Sequence, residues 1–393
     1  MNLEQRFFIN VLADHIAGED TNSDCDLNWD EISRLAHIHQ VEGILYSQCR
    51  AFMPEIIVEE YEERYLQTMY KYINRKKLMN QVDSVLNEYD LKHFTVKGFE
   101  VAKYYPYPAL RTMSDCDIVV HRNDFKQIVS LLKSIGFVGN AIASTEQWGC
   151  KKNGFYFEIH DRLVQEGEYA SNKQEAFFNN FDSYVNDGRL DVSFHFLFLL
   201  MHLRKHFLNH GVGIRQFMDL AVISKSEADL RWDWIEDRLT ELGLLKFAHV
   251  CYSLLESWFG IIIPVEKDVL SDDFAILVTE KILRNGVFGF DDKENKMANA
   301  HTALLKARGP MWMKRLIVLF QNVFLSYEVM RSYPDCGFLD GKPWLLSVAW
   351  CKRLVGIFTR ANKTKTIGVV RNSFISTEEL DDRRKLLDRM GLL

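Results

Sequence analysis

Two acids separated by one residue, Asp115 and Asp117, open the run DCDIVV at 115–120, where acidic and apolar residues alternate. Such alternation reads as a β-strand. A strand puts residues two apart on one face, roughly 6.6 Å from each other along the chain, so both carboxylates share a face while Cys116 and Ile118 point into a core. Like charges on an apolar strand repel and burial penalises them, so at least one of these acids is expected to have a raised pKa. A bound divalent cation offsets that penalty. Oxygen ligands suit Mg2+ or Mn2+, and two such ions about 4 Å apart clamp the attacking and leaving oxygens of a phosphoryl transfer. Acid pairs of this spacing also occur by chance in loops, so the neighbours carry weight. Glu158 lies in the apolar run FYFEIH at 155–160 as a third carboxylate, and Gly98 falls at a strand-to-helix turn whose backbone N–H groups can hold phosphate. Lys97 and Arg111 bring positive charge. The candidate catalytic and metal-binding set is therefore Asp115, Asp117 and Glu158, with Lys97, Gly98 and Arg111 as nucleotide-binding candidates.

The elements that must position these residues form a compact α/β unit. His93–Val96 is short and β-rich, a helical stretch runs to Tyr105, and Pro106 and Pro108 end it. Asp115–Val120 reads as a strand, Asp124–Gly136 as a helix with a glycine stop, and Phe155–His160 as another strand. On either side the spacing is helical. Trp29, Ile32, Leu35 and Ala36, then Tyr61, Tyr65, Met69 and Tyr72, recur at helix period within residues 1–90. Beyond residue 190, helices are expected over Val192–Phe207, Trp232–Leu242, Lys246–Trp258 and residues 310–331, with a last one over Thr377–Met390. The expected fold class is α+β: a small mixed sheet embedded between helical N-terminal and C-terminal domains. The divisions fall at 1–90, 91–165, 190–340 and 341–393.

Several other residues fit more than one role. His202 and His206 stand four apart on one helix, a spacing that serves helix packing, contact with a nucleotide or acceptor, or a zinc pair. No HExxH pattern accompanies them. Arg215 and Asp219 have the spacing of an i,i+4 ion pair, and His160 shares a strand face with Glu158. Residues 341–377 hold no Asp or Glu and seven basic residues, as a solvated face or a surface for an anionic partner would.

Composition narrows the function classes. The 393 residues carry a formal net charge of −6, whereas general binding of duplex nucleic acid usually shows a basic excess. Seven cysteines without a CxxC pair fit free thiols in a cytoplasmic setting and no zinc site of the usual spacing. The apolar runs at Phe194–Leu203, Ile261–Val265 and Leu316–Leu325 fall well short of the ~18 residues of a membrane span.

The runs VKGFEVAKYYPYPALRTMSDCDIVV (96–120), FEIHDRL (157–163), HLRKHFLNHGVGIRQFMDLA (202–221), YEVMRSYP (327–334) and PWLLSVAWCKR (343–353) together resemble an uncharacterised bacterial nucleotidyltransferase family of the polymerase-β-like superfamily. The likeness covers about residues 29–353. It implies a small mixed sheet followed by helices, and Mg2+- or Mn2+-dependent transfer of a nucleoside monophosphate from an NTP to an acceptor: protein, sugar, RNA or small molecule. It also implies metal ligands at Asp115 and Asp117 and a third acid at Glu158, and allows Arg215 a phosphate role. The sequence departs from the wider superfamily at Lys97-Gly98-Phe99, where no serine hydroxyl follows the glycine, and in a longer gap from Gly98 to Asp115. The alternative expectation is a binding or regulatory protein, antitoxin-like or an enzyme's partner, that keeps the fold without turnover.

Overall fold

The computed structural model describes residues 1–287 apart from 24–25, 143–146, 165–169, 187, 210–211, 227–229 and 268–269, then scattered positions from 310 to 339, and finally 341–358 and 377–393. Four helices come first: α1 (Leu3–Ala17), α2 (Trp29–His39), α3 (Glu42–Cys49) and α4 (Glu55–Glu88). Asn28 caps α2, its side chain accepting from the N–H groups of Asp30 and Glu31. At 34 residues, α4 is about 51 Å long. Its last turns carry Leu78, Met79, Val82 and Leu86 on one buried stripe beneath the sheet.

The sheet comprises β1 (His93–Val96), β2 (Asp117–Val120), β3 (Val138–Ile142), β4 (Gln147–Lys152) and β5 (Phe155–His160). Its order is β1-β2-β5-β4-β3, with β2 and β5 parallel and the other neighbours antiparallel. The five-residue α5 (Gly98–Ala102) follows β1, and α6 (Phe125–Ser134) follows β2. The pleat sorts the side chains onto two faces. Ile118, Val120, Phe157 and Ile159 pack with α4 and α6 in one core. Phe94, Val96 and Val119, on the other face, join the larger core that unites the N-terminal helices with the later ones. Asp117, Glu158 and His160 alternate with the first group and so share the second face.

The chain continues as α7 (Asn172–Asn179), the short hairpin β6–β7 (Val185–Asn186, Arg189–Leu190), and α8 (Val192–Asn209), α9 (Ile214–Ser226), α10 (Trp232–Leu242), α11 (Leu245–Phe259) and α12 (Asp272–Asn285). Near the C-terminus lie α13 (Leu346–Phe358) and α14 (Thr377–Arg389). A mixed sheet set among helices is the expected class. The strand expected over 115–120 begins only at Asp117, and the stretch expected to run as helix to Tyr105 ends at Ala102. β3, β4 and the β6–β7 hairpin were not expected. The expected helix over 310–331 and much of the basic stretch 341–377 lie outside the described residues. No helix among those described is long and apolar enough to cross a membrane.

One buried histidine, in its neutral form, ties α2 to α9 and α12, and a second is buried on α1. His39 accepts from the Ile214 N–H at Nδ1 and donates from Nε2 to the Leu283 carbonyl, each at 3.3 Å. Burial holds its pKa down to about 3, and burial likewise holds that of His15 down to about 4. Both values are depressed from 6.5, so below that pH the unfolded chain takes up protons that the folded chain refuses. Each histidine should then withdraw about 1.4 kcal/mol of stability per pH unit. His93 and His160 are shifted upward, so their contribution is complete below 6.5 and adds no slope there. Melting temperature should fall steadily between pH 6.5 and 5, and a flat profile across that interval would show that these rings are not held neutral.

Candidate functional site

Lys97 follows β1 directly. Val96 pairs with Asp117 across the sheet, and Asp117 pairs with Glu158 in the parallel register of β2 and β5. One carboxylate therefore stands beside the other on the same face. The Asp117 Oδ1 receives the Lys97 Nζ at 2.8 Å and the His160 Nε2 at 3.2 Å. The same His160 nitrogen lies 3.3 Å from Glu158 Oε2, which also accepts from Gln147 Nε2 at 2.8 Å. Ligand atoms of Asp117, Glu158 and His160 all fall within 4.8 Å of one another, the group of potential metal-binding side chains found among the described residues.

The electrostatics reverse the expectation of a raised acid pKa. Burial pushes the Asp117 carboxyl up, but Lys97 and His160 outweigh it and hold the group well below the usual carboxylate range. The hydrogen bond from His160 holds Glu158 down as well. Burial pushes His160 and Lys97 down, yet both end above their ordinary values: Asp117 and Glu158 raise His160, and Asp117, Asp115 and Glu158 raise Lys97. A lysine and an imidazole thus interleave with the two carboxylates where unrelieved repulsion was expected.

Asp115 stands apart. Backbone pairing starts at Cys116, whose N–H bonds to the Tyr156 carbonyl, so strand alternation does not reach back to residue 115. The Asp115 carboxylate accepts from the Ser114 hydroxyl at 3.0 Å and acts on Lys97 only through its charge. From α4, Arg75 fixes the preceding loop by donating to the carbonyls of Met113 and Ser114 at 3.0 and 3.1 Å.

Arg111 is also placed elsewhere. Its Nε and Nη2 grip both oxygens of Asp219 at 3.1 and 2.6 Å, and Asp219 Oδ1 takes the Tyr105 hydroxyl at 2.8 Å. Both side chains are buried. The expected pairing of Asp219 with Arg215 therefore does not form; Arg215 donates to Thr112 Oγ1 and Gln40 Oε1. Gly98 is buried, and a Cβ there would meet Met113 Sδ at 3.5 Å and the Asp115 carbonyl at 3.6 Å.

His195, Gln147 and Lys205, which sequence reasoning did not single out, complete the surroundings together with Lys97, His202 and His206. Lys97 has φ 53 and ψ −122, a conformation that L side chains adopt at a penalty of about 1–3 kcal/mol. Its N–H donates to the buried His195 Nε2 at 3.2 Å. Strain of this kind is held only where the surroundings dictate it, and here it aims the ammonium at Asp117. His195 precedes His202 by two helical turns on α8, a periodicity visible in the sequence; Gln147, from β4, gave no such signal. His202 and His206 meet at 3.0 Å through their Nε2 atoms, so one ring donates to the other. Between α8 and the sheet lies a cavity of about 110 Å3, bordered by Lys97, Gln147, Glu158, His160, His202 and Lys205 among others.

A family profile described as an uncharacterised nucleotidyltransferase matches residues 25–260, more than half of the chain. The chain belongs to that family. The matched span runs from just before α2 to the end of α11 and takes in the whole sheet and the acid cluster. No curated protein and no solved structure matches it. Membership gives a nucleotidyltransferase-type function with a nucleotide as substrate, and the Asp117–Glu158–His160 group supplies this member of the nucleotidyltransferase family with a possible metal site.

Proposed function

We propose that the protein transfers a nucleoside monophosphate from an NTP to an acceptor, with a divalent cation at Asp117, Glu158 and His160. The observation that carries this reading is the convergence of those three side chains within 4.8 Å inside a chain of nucleotidyltransferase family. The donor set fits such an ion. Two carboxylates suit Mg2+ or Mn2+, and the imidazole shifts the preference toward Mn2+. When bound, the ion would neutralise charge on the phosphoryl oxygens during displacement.

The chain's own residues do the rest. Asp117, the least exposed of the three, fixes the centre; Glu158 opens furthest to solvent, with side-chain exposure of 36% against 13% for His160 and 6% for Asp117. Glu158 is therefore the group within reach of an acceptor hydroxyl. As the acceptor oxygen bonds to the α-phosphorus, its proton passes to the Glu158 carboxylate, the bond to the β-phosphate bridge breaks, and pyrophosphate leaves with the electron pair. Lys97 offsets the negative charge that accumulates on it. Asp115 contributes through its field at Lys97, and Gly98 sets the turn that carries Lys97. Arg111 has a structural part.

One observation favours a second reading, a binding protein that does not turn over: Lys97 and His160 already occupy oxygens of the two acids. Purified protein incubated with cell extract, Mn2+ or Mg2+, and NTPs labelled at either the α- or the γ-phosphate separates the two. The transferase reading expects metal-dependent labelling from the α-position only. Labelling from the γ-position would make the protein a kinase, and NTP binding with no labelled product would favour the binding protein.

A further inference from the structure

Helix α8 is the wall that faces the acids. His195, Phe198, His202 and Lys205 recur on it at spacings of three, four and three, which is one face of a helix. His195 holds the Lys97 backbone, and the Lys97 ammonium lies 6.0 Å from the centre of the Phe198 ring. Further along, His202 and Lys205 border the same cavity as Lys97, opposite Gln147, Glu158 and His160. Lys205 on the helix and Lys97 beyond β1 thus bring positive charge to a cavity whose sheet side bears carboxylate, and His202, whose pKa burial holds well below its ordinary value, adds a neutral imidazole.

Its size limits what enters. At about 110 Å3 it is far below the roughly 300–1,000 Å3 of pockets that enclose a whole drug-sized ligand, so it takes a phosphate-sized part of a nucleotide. The turn after β1 offers little for that part: Lys97-Gly98-Phe99 has no hydroxyl, Gly98 is buried, and α5 is five residues long. We propose that Lys97, His202 and Lys205 together grip the polyphosphate tail of the nucleotide, so that α8 supplies the phosphate contacts the β1 turn lacks. The proposal rests on the nucleotidyltransferase reading and extends it to the chemical group that is recognised. Lysine and imidazole donors held against a polyphosphate make charge-assisted hydrogen bonds, the strong class.

Inorganic pyrophosphate is the probe. Full-length protein is titrated with it calorimetrically at saturating Mn2+, and Mn2+ binding alone is measured separately. Lys205→Ala and His202→Gln should each weaken pyrophosphate binding about tenfold to a hundredfold, with Mn2+ affinity unchanged. Lys205→Arg, which keeps the charge, should retain most of the binding and so separates loss of charge from loss of fold. Unchanged pyrophosphate affinity in both variants, or none in a wild type that binds Mn2+, overturns the assignment and leaves the metal centre standing. A wild type that binds neither Mn2+ nor pyrophosphate overturns the nucleotidyltransferase reading with it.

Discussion

Asp117→Asn should lower nucleotidyl transfer by roughly a thousandfold or more, equivalent to about 4 kcal/mol of activation free energy. The carboxamide nearly matches the carboxylate in shape, so packing on β2 is preserved. The lost charge is the one that receives Lys97 at 2.8 Å and His160 at 3.2 Å and stands beside Glu158. With it gone, the proposed cation loses its least exposed ligand, and the Lys97 ammonium loses its hydrogen-bonded carboxylate. Removing one partner of a buried pair typically destabilises by about 3–5 kcal/mol, so the variant should also melt earlier and must be assayed well below its transition. Asp115→Asn is the internal comparison. Its carboxylate lies outside the cluster and reaches Lys97 only through space, so its effect should be much smaller. Transfer of α-label in extract, measured for both variants, checks the pair. Equal losses would return Asp115 to the metal site.

Arg111→Ala should destabilise the fold by about 3–5 kcal/mol, because it strands Asp219 as a buried, unpaired carboxylate. The Tyr105 hydroxyl remains on Asp219 Oδ1 but cannot replace a guanidinium that contacts both oxygens. Asp219→Ala should have a similar effect, since it strands Arg111. The double variant Arg111→Met with Asp219→Leu should be more stable than either single change, as burial of the two charged groups is then no longer required. Denaturant unfolding of the four proteins measures this. A phosphate-binding Arg111 would behave differently: stability would hold while affinity for NTP fell, and the double variant would be no better than the arginine variant.

The parts of this architecture legible in the sequence are those with dense apolar periodicity. β1, β5 and α10 have the expected limits, because His93–Val96, Phe155–His160 and Trp232–Leu242 carry their pattern within themselves. β3 and β4 escaped because their residues do not alternate as a strand's usually do: in β3, Gly139 and Asn140 separate Val138 from Ala141 and Ile142, and in β4 only Trp148 and Cys150 are apolar. The pleat that placed Glu158 beside Asp117 follows from period-two alternation. The same rule misplaced Asp115, since the rule holds only inside a paired ladder. His195, Gln147 and Lys205 reach the cluster from segments distant in sequence, and only tertiary packing brings them there. The Arg215–Asp219 spacing misled for a related reason. Asp219 faces the interior, where Arg111, more than a hundred residues earlier, offers both oxygens a fork-like partner.

The raised acid pKa expected from the sequence failed because the cations were not counted. Lys97 was expected on phosphate and His160 only on the strand face of Glu158, yet both lie on the Asp117 carboxylate. A substrate complex would therefore have to compete with Lys97 for Asp117. The strained backbone at Lys97 and its bond to His195 make that lysine the residue whose position should differ most between free and substrate-bound protein.

The most direct measurement is the position of an ion. Crystals grown with Mn2+ and a non-hydrolysable NTP analogue, examined by anomalous scattering, should show Mn2+ held by Asp117, Glu158 and His160, with the Lys97 ammonium moved onto the phosphates. A bound analogue with no ion at these three residues, or an ion held by other side chains while Lys97 stays on Asp117, would contradict the metal centre on which the proposed transfer depends.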